Sequence, residues 1–400
     1  IFLLKIMTEY GILNRWTGRG HAASYPYGVD ALEVIYMKIM IVGGTRPNFV
    51  KISPILKLLR RHPEHFHPLF VHTGQHYDTR MSQSFLDDLE IGKPDIALGV
   101  GSGTQAVQTA RIMESFEPVV LKEKPDVVIV VGDVTSTMAC TLVCAKLMMP
   151  VVHVEAGIRS FDRQMPEEVN RIVTDALADL LLTPVAEARE NLIREGIPDE
   201  RIHFVGNVMI DTLVQCREHI NNSAIIDDLG LNPREYALLT LHRPSNVDEE
   251  EPLRHIIDAL GEIGKSVRIV FSVHPRTQKM LTQFGLSSQV EAIPGLINLE
   301  PLPYFDFLQL QRQARFVLTD SGGIQEETTF LGIPCLTLRE NTERPITITH
   351  GTSKLVGTNT SVILQETKRI LDHQWHRGQI PDLWDGHTAE RILDVLKQKF

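Results

Sequence analysis

Residues 125–133 read Pro-Asp-Val-Val-Ile-Val-Val-Gly-Asp: five consecutive β-branched apolar residues, a glycine, then a carboxylate. An apolar run with no polar alternation marks a strand covered on both faces, and helical patterning resumes directly after it. Working outward, the same unit recurs. KIMIVGG (38–44) and PLFVHTG (68–74) precede it, PVVHVEAG (150–157) comes after it, and each leads into a helical stretch. That alternation predicts a parallel sheet with helices on both faces.

A second series starts after the strand-like HFVGN (203–207): YALLTLH (236–242), RIVFSVHP (268–275), EAIPGL (291–296), FVLTDSGG (316–323) and PCLTLR (334–339). The expected fold is α/β of the GT-B kind, two Rossmann-like domains with an interdomain active-site cleft. The expected boundaries are 37–205 for the N-terminal domain and 206–387 for the C-terminal domain, with a helix at 388–400 packing back on the first. Residues 1–36 do not share the strand-helix alternation of the remaining chain and read as a non-catalytic extension. Their opening apolar run is broken at Lys5, far short of the roughly 18 residues that cross a bilayer, and they contain no signal-peptide cleavage pattern.

Bulk composition narrows the function. A length of 400 residues, 43% of them hydrophobic and 22% charged, suits two globular domains. A net charge of −10 argues against a general nucleic-acid binder, which needs a basic face, but not against a small anionic ligand. The four cysteines (140, 144, 216, 335) form no CxxC pair and no metal-ligand spacing, so reduced core thiols, no metal and a cytoplasmic setting are expected. The first-strand loop GGTRPNFVK lacks GxGxxG and GxxxxGK[ST], so neither a dinucleotide nor an ATP site is supported.

Ligands of open parallel sheets bind beyond the carboxyl ends of strands. Asp133, Glu155, His242, His274 and the Asp320–Gly323 turn all close apolar runs. One such residue would be a helix cap; five on two sheets favour a shared crevice. In DSGGIQEE the glycines allow close backbone approach, and the helix after them offers N–H groups to a diphosphate; the alternative is a turn capped by Asp320 or Ser321. Arg46 and Lys51 are either phosphate-neutralising cations or ordinary surface charges. In VEAGIRSFDRQMPEEVNR, Glu155 is an acid at a buried strand end, which needs a partner or a task. Glu168 reads as a solvated residue of a helix first turn.

GTRPNFVK, VGDVTST, HVEAGIRS, MPEEVNR, LHRPSN, DSGGIQEE and NTERP stand in this order and spacing, and from about Met37 onward the chain resembles the non-hydrolysing UDP-N-acetylglucosamine 2-epimerases. The resemblance implies a homodimer that interconverts UDP-GlcNAc and UDP-ManNAc with no cofactor. It carries catalytic roles onto Asp133, Glu155, Glu167, His242 and Lys51. Substrate contacts fall on Arg46, His274, Arg276, Phe307 (uracil, or else a core aromatic), Ser321, Gly322 and Gly323 (phosphates), Glu327 (ribose) and Arg344. The chain departs from many relatives at Arg243-Pro244-Ser245-Asn246 and at Gly74-Gln75-His76-Tyr77, neighbourhoods tied to activation by UDP-GlcNAc in some members. The SFDRQMPEE segment is similar to relatives acting on UDP-diacetamido-uronic acids. The alternatives are such a uronic-acid epimerase, a hydrolysing epimerase and a GT-B glycosyltransferase.

Overall fold

The computed structural model describes residues 36–74 and 85–400; the N-terminal extension and Gln75, His76 and Tyr77 lie outside the described residues. Two all-parallel sheets organise the chain. The first contains β1 (Met37–Gly43), β2 (Phe66–His72), β3 (Ile96–Ala97), β4 (Val127–Val131), β5 (Val151–Val154), β6 (Leu180–Thr183) and β7 (Ile202–Phe204), in the order β3-β2-β1-β4-β5-β6-β7. The second contains β8 (Tyr236–Thr240), β9 (Arg268–Ser272), β10 (Leu296–Leu299), β11 (Phe316–Thr319), β12 (Cys335–Thr337) and β13 (Ser353–Leu355), in the order β10-β9-β8-β11-β12-β13.

Both sheets reverse direction next to their first strand, at β1/β4 and at β8/β11. Chain connections diverge to opposite sides at such a switch point and leave a crevice at the strand carboxyl ends. Four loops open there: Gly43–Arg46, Gly132–Asp133, Leu241–Arg243 and Asp320–Ser321. Every residue of β4, β5 and β6 is buried, as helices on both faces require.

Two details depart from the sequence reading. EAIPGL is not a strand: Pro294-Gly295 forms a turn with Gly295 at φ +68°, and β10 starts only at Leu296. The short β3, β6 and β13 fall outside the expected strands. The four cysteines are buried and free, in keeping with core thiols.

Two segments tie the sheets together. The Val208–Gln215 helix comes after β7 and packs on the Arg46–Arg60 helix, with Thr212 Oγ1 donating to the Val50 carbonyl at 2.5 Å. The Thr388–Lys399 helix packs on that same Arg46–Arg60 helix, burying Ile392, Leu393 and Leu396. Its first N–H groups are taken by the Asp211 carboxylate (Thr388 N 3.1 Å, Ala389 N 2.7 Å), which fixes where the returning chain docks.

Candidate active site

Gly44 permits the first loop to close, since a Cβ there would stand 2.3 Å from Ser136 Oγ. The next turn brings Asn48 against both loops. Its Oδ1 accepts from Gly44 N (3.1 Å) and its Nδ2 donates to the Val131 carbonyl (2.9 Å). One turn further along the Arg46–Arg60 helix, Lys51 is buried and hydrogen-bonded to Glu155. Gly132, at φ +67°, backs this pair: a Cβ would lie 3.4 Å from Lys51 Nζ and 3.5 Å from Glu155 Oε2.

Glu155 sits at φ +73°, a left-handed backbone unusual for a non-glycine residue. Such a conformation costs about 1–3 kcal/mol and persists where surrounding structure imposes it. Here Glu155 N and Ala156 N both donate to the Leu182 carbonyl at 3.0 Å, pinning the turn to β6. The result aims the carboxylate out of the first sheet and into the second domain, where Arg344 Nη2 meets Oε1 at 2.6 Å.

Arg344 is a hub rather than a free phosphate ligand in this conformation. Besides Glu155 it approaches Glu326 (Nε to Oε2, 2.9 Å) and Glu343 (Nη1 to Oε1, 2.9 Å). Glu343 also pairs with Arg339 at 2.7 Å and lies 3.5 Å from Arg243, and Arg243 stands 3.7 Å from Glu167. Glu155 and Glu167 of the first domain thus both face cations of the second. Asp133 is held by Arg171, and Asn170 Nδ2 donates to the Asp133 carbonyl at 2.8 Å. Burial raises the Asp133 pKa, but Arg171, Lys51 and Arg344 outweigh it and hold the carboxyl below its ordinary range.

Glu168 differs from its sequence reading. It is buried, not solvated, and accepts from Ser160 N (2.9 Å), Phe161 N (2.9 Å) and Arg171 Nη2 (2.8 Å). It closes the 160–165 loop and anchors the arginine that holds Asp133.

In the second domain a concavity of about 210 Å³ is lined by His242, Ser272, His274, Pro301, Ser321 and Ile324, among others. Ser321 makes no side-chain cap bond, and Asp320 accepts from the β8 loop, so a merely capped turn is not what DSGG forms. Gly322 lies against the same guanidinium, since a Cβ there would fall 2.8 Å from Arg344 Nη1. A Cβ on Gly323 would lie 3.2 Å from Met209 Cε, so this turn too abuts the interdomain helix.

Several predicted contacts lie off the charged network. Arg46 is half-buried with its guanidinium 5.6 Å from the Phe85 ring centroid. Arg276 is paired with Asp248 on the surface. Phe307 is partly buried among Leu310, Val317 and Ile324. Glu327 is buried beside Gln311 and Tyr304, and burial pushes its pKa up to about 7.

Sequence reasoning missed Arg171, Glu326, Glu343 and the His153–Asp175 pair. His153 Nε2 lies 2.8 Å from the Gly132 carbonyl and Nδ1 lies 2.6 Å from Asp175, so this ring braces the loop that carries Asp133. The available signal was weak: charges at i+3 and i+4 within MPEEVNR, and a histidine inside an otherwise apolar strand. Among the described residues no cluster of metal-ligating side chains occurs, and no helix is long and apolar enough to cross a membrane.

Comparison with known proteins places this geometry. Residues 57–397 match the family model for UDP-N-acetylglucosamine 2-epimerase. The UDP-N-acetylglucosamine 2-epimerase of Methanocaldococcus jannaschii is 41% identical over 371 residues, spanning 90% of this chain and 99% of that protein. The UDP-2,3-diacetamido-2,3-dideoxy-D-glucuronate 2-epimerase of Pseudomonas aeruginosa is 38% identical, with 90% and 99% covered. The crystal structure of the M. jannaschii UDP-GlcNAc 2-epimerase in complex with UDP-GlcNAc and UDP superposes with a TM-score of 0.83 at 40% identity, covering 90% of this chain and all of that one. The likeness covers 90% of the chain, and the chain belongs to the UDP-N-acetylglucosamine 2-epimerase family.

Proposed function

We propose that the chain interconverts UDP-N-acetylglucosamine and UDP-N-acetylmannosamine by elimination and re-addition. The proton on C2 has no neighbouring carbonyl to hold the charge its removal would leave. Departure of UDP changes this: the C1–O bond breaks with its electron pair going to the β-phosphate, and the C2 proton passes to a carboxylate. The product pair is UDP and a 2-acetamidoglucal. Protonation of C2 on the opposite face and return of UDP to C1 give the epimer. One observation supports this reading above the others: Glu155, at the end of a first-sheet strand, is joined to Arg344, which abuts the Gly322 turn of the second sheet. Acid/base groups and a diphosphate cradle therefore face one crevice.

In this reading Asp133, Glu155 and Glu167 serve proton transfer, Lys51 supports Glu155, and His242 faces the leaving diphosphate. Ser321, Gly322 and Gly323 receive the phosphates, with Arg46, His274, Arg276 and Arg344 contributing charge. Phe307 meets the uracil and Glu327 the ribose hydroxyls. Proton NMR of UDP-GlcNAc with the protein in deuterated water is expected to show UDP-ManNAc carrying deuterium at C2. Free N-acetylmannosamine would make it a hydrolysing enzyme; neither product nor exchange without an added acceptor would point to a transferase. The 38% identity to the diacetamido-glucuronate epimerase supports a second reading, which a comparison of kcat/KM on the two sugars decides. Exposed Leu121, Met148, Val169 and Leu177, on or beside three successively packed helices of the first domain, support a homodimer; a one-chain mass by light scattering would overturn that.

Glu327 gives this reading a pH signature. Its folded pKa, about 7, lies above the ordinary 4.5 because burial penalises the carboxylate. The stability it contributes is complete below pH 4.5 and is lost as pH rises through 7. Glu327→Gln removes that loss, at most about 3 kcal/mol. The variant is expected to melt a few degrees higher than the parent at pH 8 and at the same temperature near pH 4.5. It also loses one acceptor for ribose, weakening UDP binding roughly 10–100-fold. Calorimetric melts at both pH values and titration with UDP check the two halves.

A further inference from the structure

Asp320 ends β11 at the switch point and is fully buried, yet its carboxylate accepts from four donors, all on the neighbouring β8 loop. The two oxygens divide the work. Oδ2 takes His242 N (2.9 Å), Arg243 N (2.8 Å) and Asn246 Nδ2 (3.2 Å). Oδ1 faces His242 Nδ1 at 2.9 Å and shares His242 N at 3.2 Å. Burial raises the Asp320 pKa, but the His242 ring and the two backbone N–H groups outweigh it, so the group is an acceptor only. A ring nitrogen facing an acceptor must carry a hydrogen.

We propose that Asp320 is a positioning residue for the reaction: it holds one proton of His242 at Nδ1 and so reserves Nε2 for a proton exchanged with a nucleotide in the concavity that His242 lines with Ser321 and His274. The second proton resides on Nε2 and is given to the departing diphosphate oxygen, then recovered when UDP returns to C1, without any rotation of the ring. The backbone bonds to Arg243 N and His242 N make the arrangement rigid, and Asn246, which also donates to the Leu338 carbonyl at 2.7 Å, locks the carboxylate from the far side. His274, with ring centroid 5.8 Å from that of His242, flanks the same concavity. The inference rests on the assignment of His242 to the leaving group.

The division of labour between the oxygens makes Asp320→Asn informative. Three donors surround the Oδ2 position, so the amide oxygen goes there and the amide NH2 takes the Oδ1 place, facing Nδ1. His242 then has to accept at Nδ1 and carry its single proton on Nε2, with a second proton disfavoured. Nitrogen-15 NMR of imidazole-labelled protein is expected to show a protonated Nδ1 for His242 in the parent and, in Asp320→Asn, an unprotonated Nδ1 with the proton on Nε2. Turnover of UDP-GlcNAc is expected to fall by roughly 10²–10⁴-fold, with UDP affinity within about threefold. In a His242→Asn background, Asp320→Asn is expected to cost less than about threefold more, because a residue acting through another is non-additive with it. An unprotonated Nδ1 in the unsubstituted protein overturns the proposal, and that measurement needs no variant to fold. So does an undiminished loss in the His242→Asn background, which would show a structural role only. Should the parent fail to epimerise UDP-GlcNAc, the proposed activity falls while the tautomer result still stands or fails alone.

Discussion

Glutamine at position 155 is expected to lower epimerisation of UDP-GlcNAc by about 10³-fold, within the range assigned to loss of a general acid/base group, while UDP affinity stays within a few-fold. The substitution preserves volume and lets the amide oxygen keep the 2.6 Å bond from Arg344. It removes the ability to take a proton, and it turns an NH2 donor toward the Lys51 ammonium, where a carboxylate oxygen now accepts. Both faults sit on a backbone that β6 holds in a left-handed turn, so the side chain has little freedom to find another partner. Breaking a buried ion pair can itself cost about 3–5 kcal/mol, so a thermal melt has to accompany the kinetics. A folded variant that binds UDP, turns over within tenfold of the parent and still exchanges deuterium at C2 would remove Glu155 from proton transfer.

How far the sequence revealed this site depends on the residue. Asp133, Glu155, His242 and Asp320 were legible because unbroken apolar runs mark strands sharply, and several polar residues ending such runs on two sheets favour a shared crevice over separate helix caps. Lys51 was legible as a candidate but its partner was not, since 104 residues separate it from Glu155. Arg344 was named as a substrate contact through the resemblance, but its pairing with Glu155, 189 residues away, was not legible. Burial of its NTERP loop is a property of how two domains meet, which no local pattern encodes. Glu168 failed for a related reason: a glutamate in a helix first turn is favoured by the dipole whether it is wet or buried, and only the returning Ser160–Phe161 backbone decides. In EAIPGL the apolar residues outweighed a Pro-Gly pair that should have ended the strand reading. The four-residue β6 offered too short an apolar run to separate from the helix before it.

Arg344→Lys is expected to be the most destabilising conservative change in the crevice, by about 3–5 kcal/mol, lowering the Tm by on the order of 5 °C. The guanidinium reaches Glu155, Glu343 and Glu326 from three of its edges at 2.6–2.9 Å. One ammonium on a flexible stem cannot reproduce a planar fork that meets three carboxylates at once. The carboxylates then shift the same way, upward, from opposite sides of the ordinary value. Burial already raises the Glu326 pKa, against the pull of Arg344, so the variant takes up a proton there at higher pH than the parent. Burial also raises Glu343, but Arg344, Arg339, Arg243 and Arg171 outweigh it and hold that carboxyl well below its usual range. A depressed folded pKa gives stability present above the ordinary 4.5 and lost only as pH falls through the folded value. Replacing the guanidinium by an ammonium that cannot hold all three carboxylates raises both folded pKa values, and a native state that takes up protons more readily gains stability on acidification, so the gap between parent and variant should narrow from pH 7 toward pH 5. A Tm unchanged within 1 °C at both pH values would mean that the three ion pairs contribute nothing net. Arg344 would then have to be explained by the diphosphate alone, and the same variant should weaken UDP binding without touching the fold.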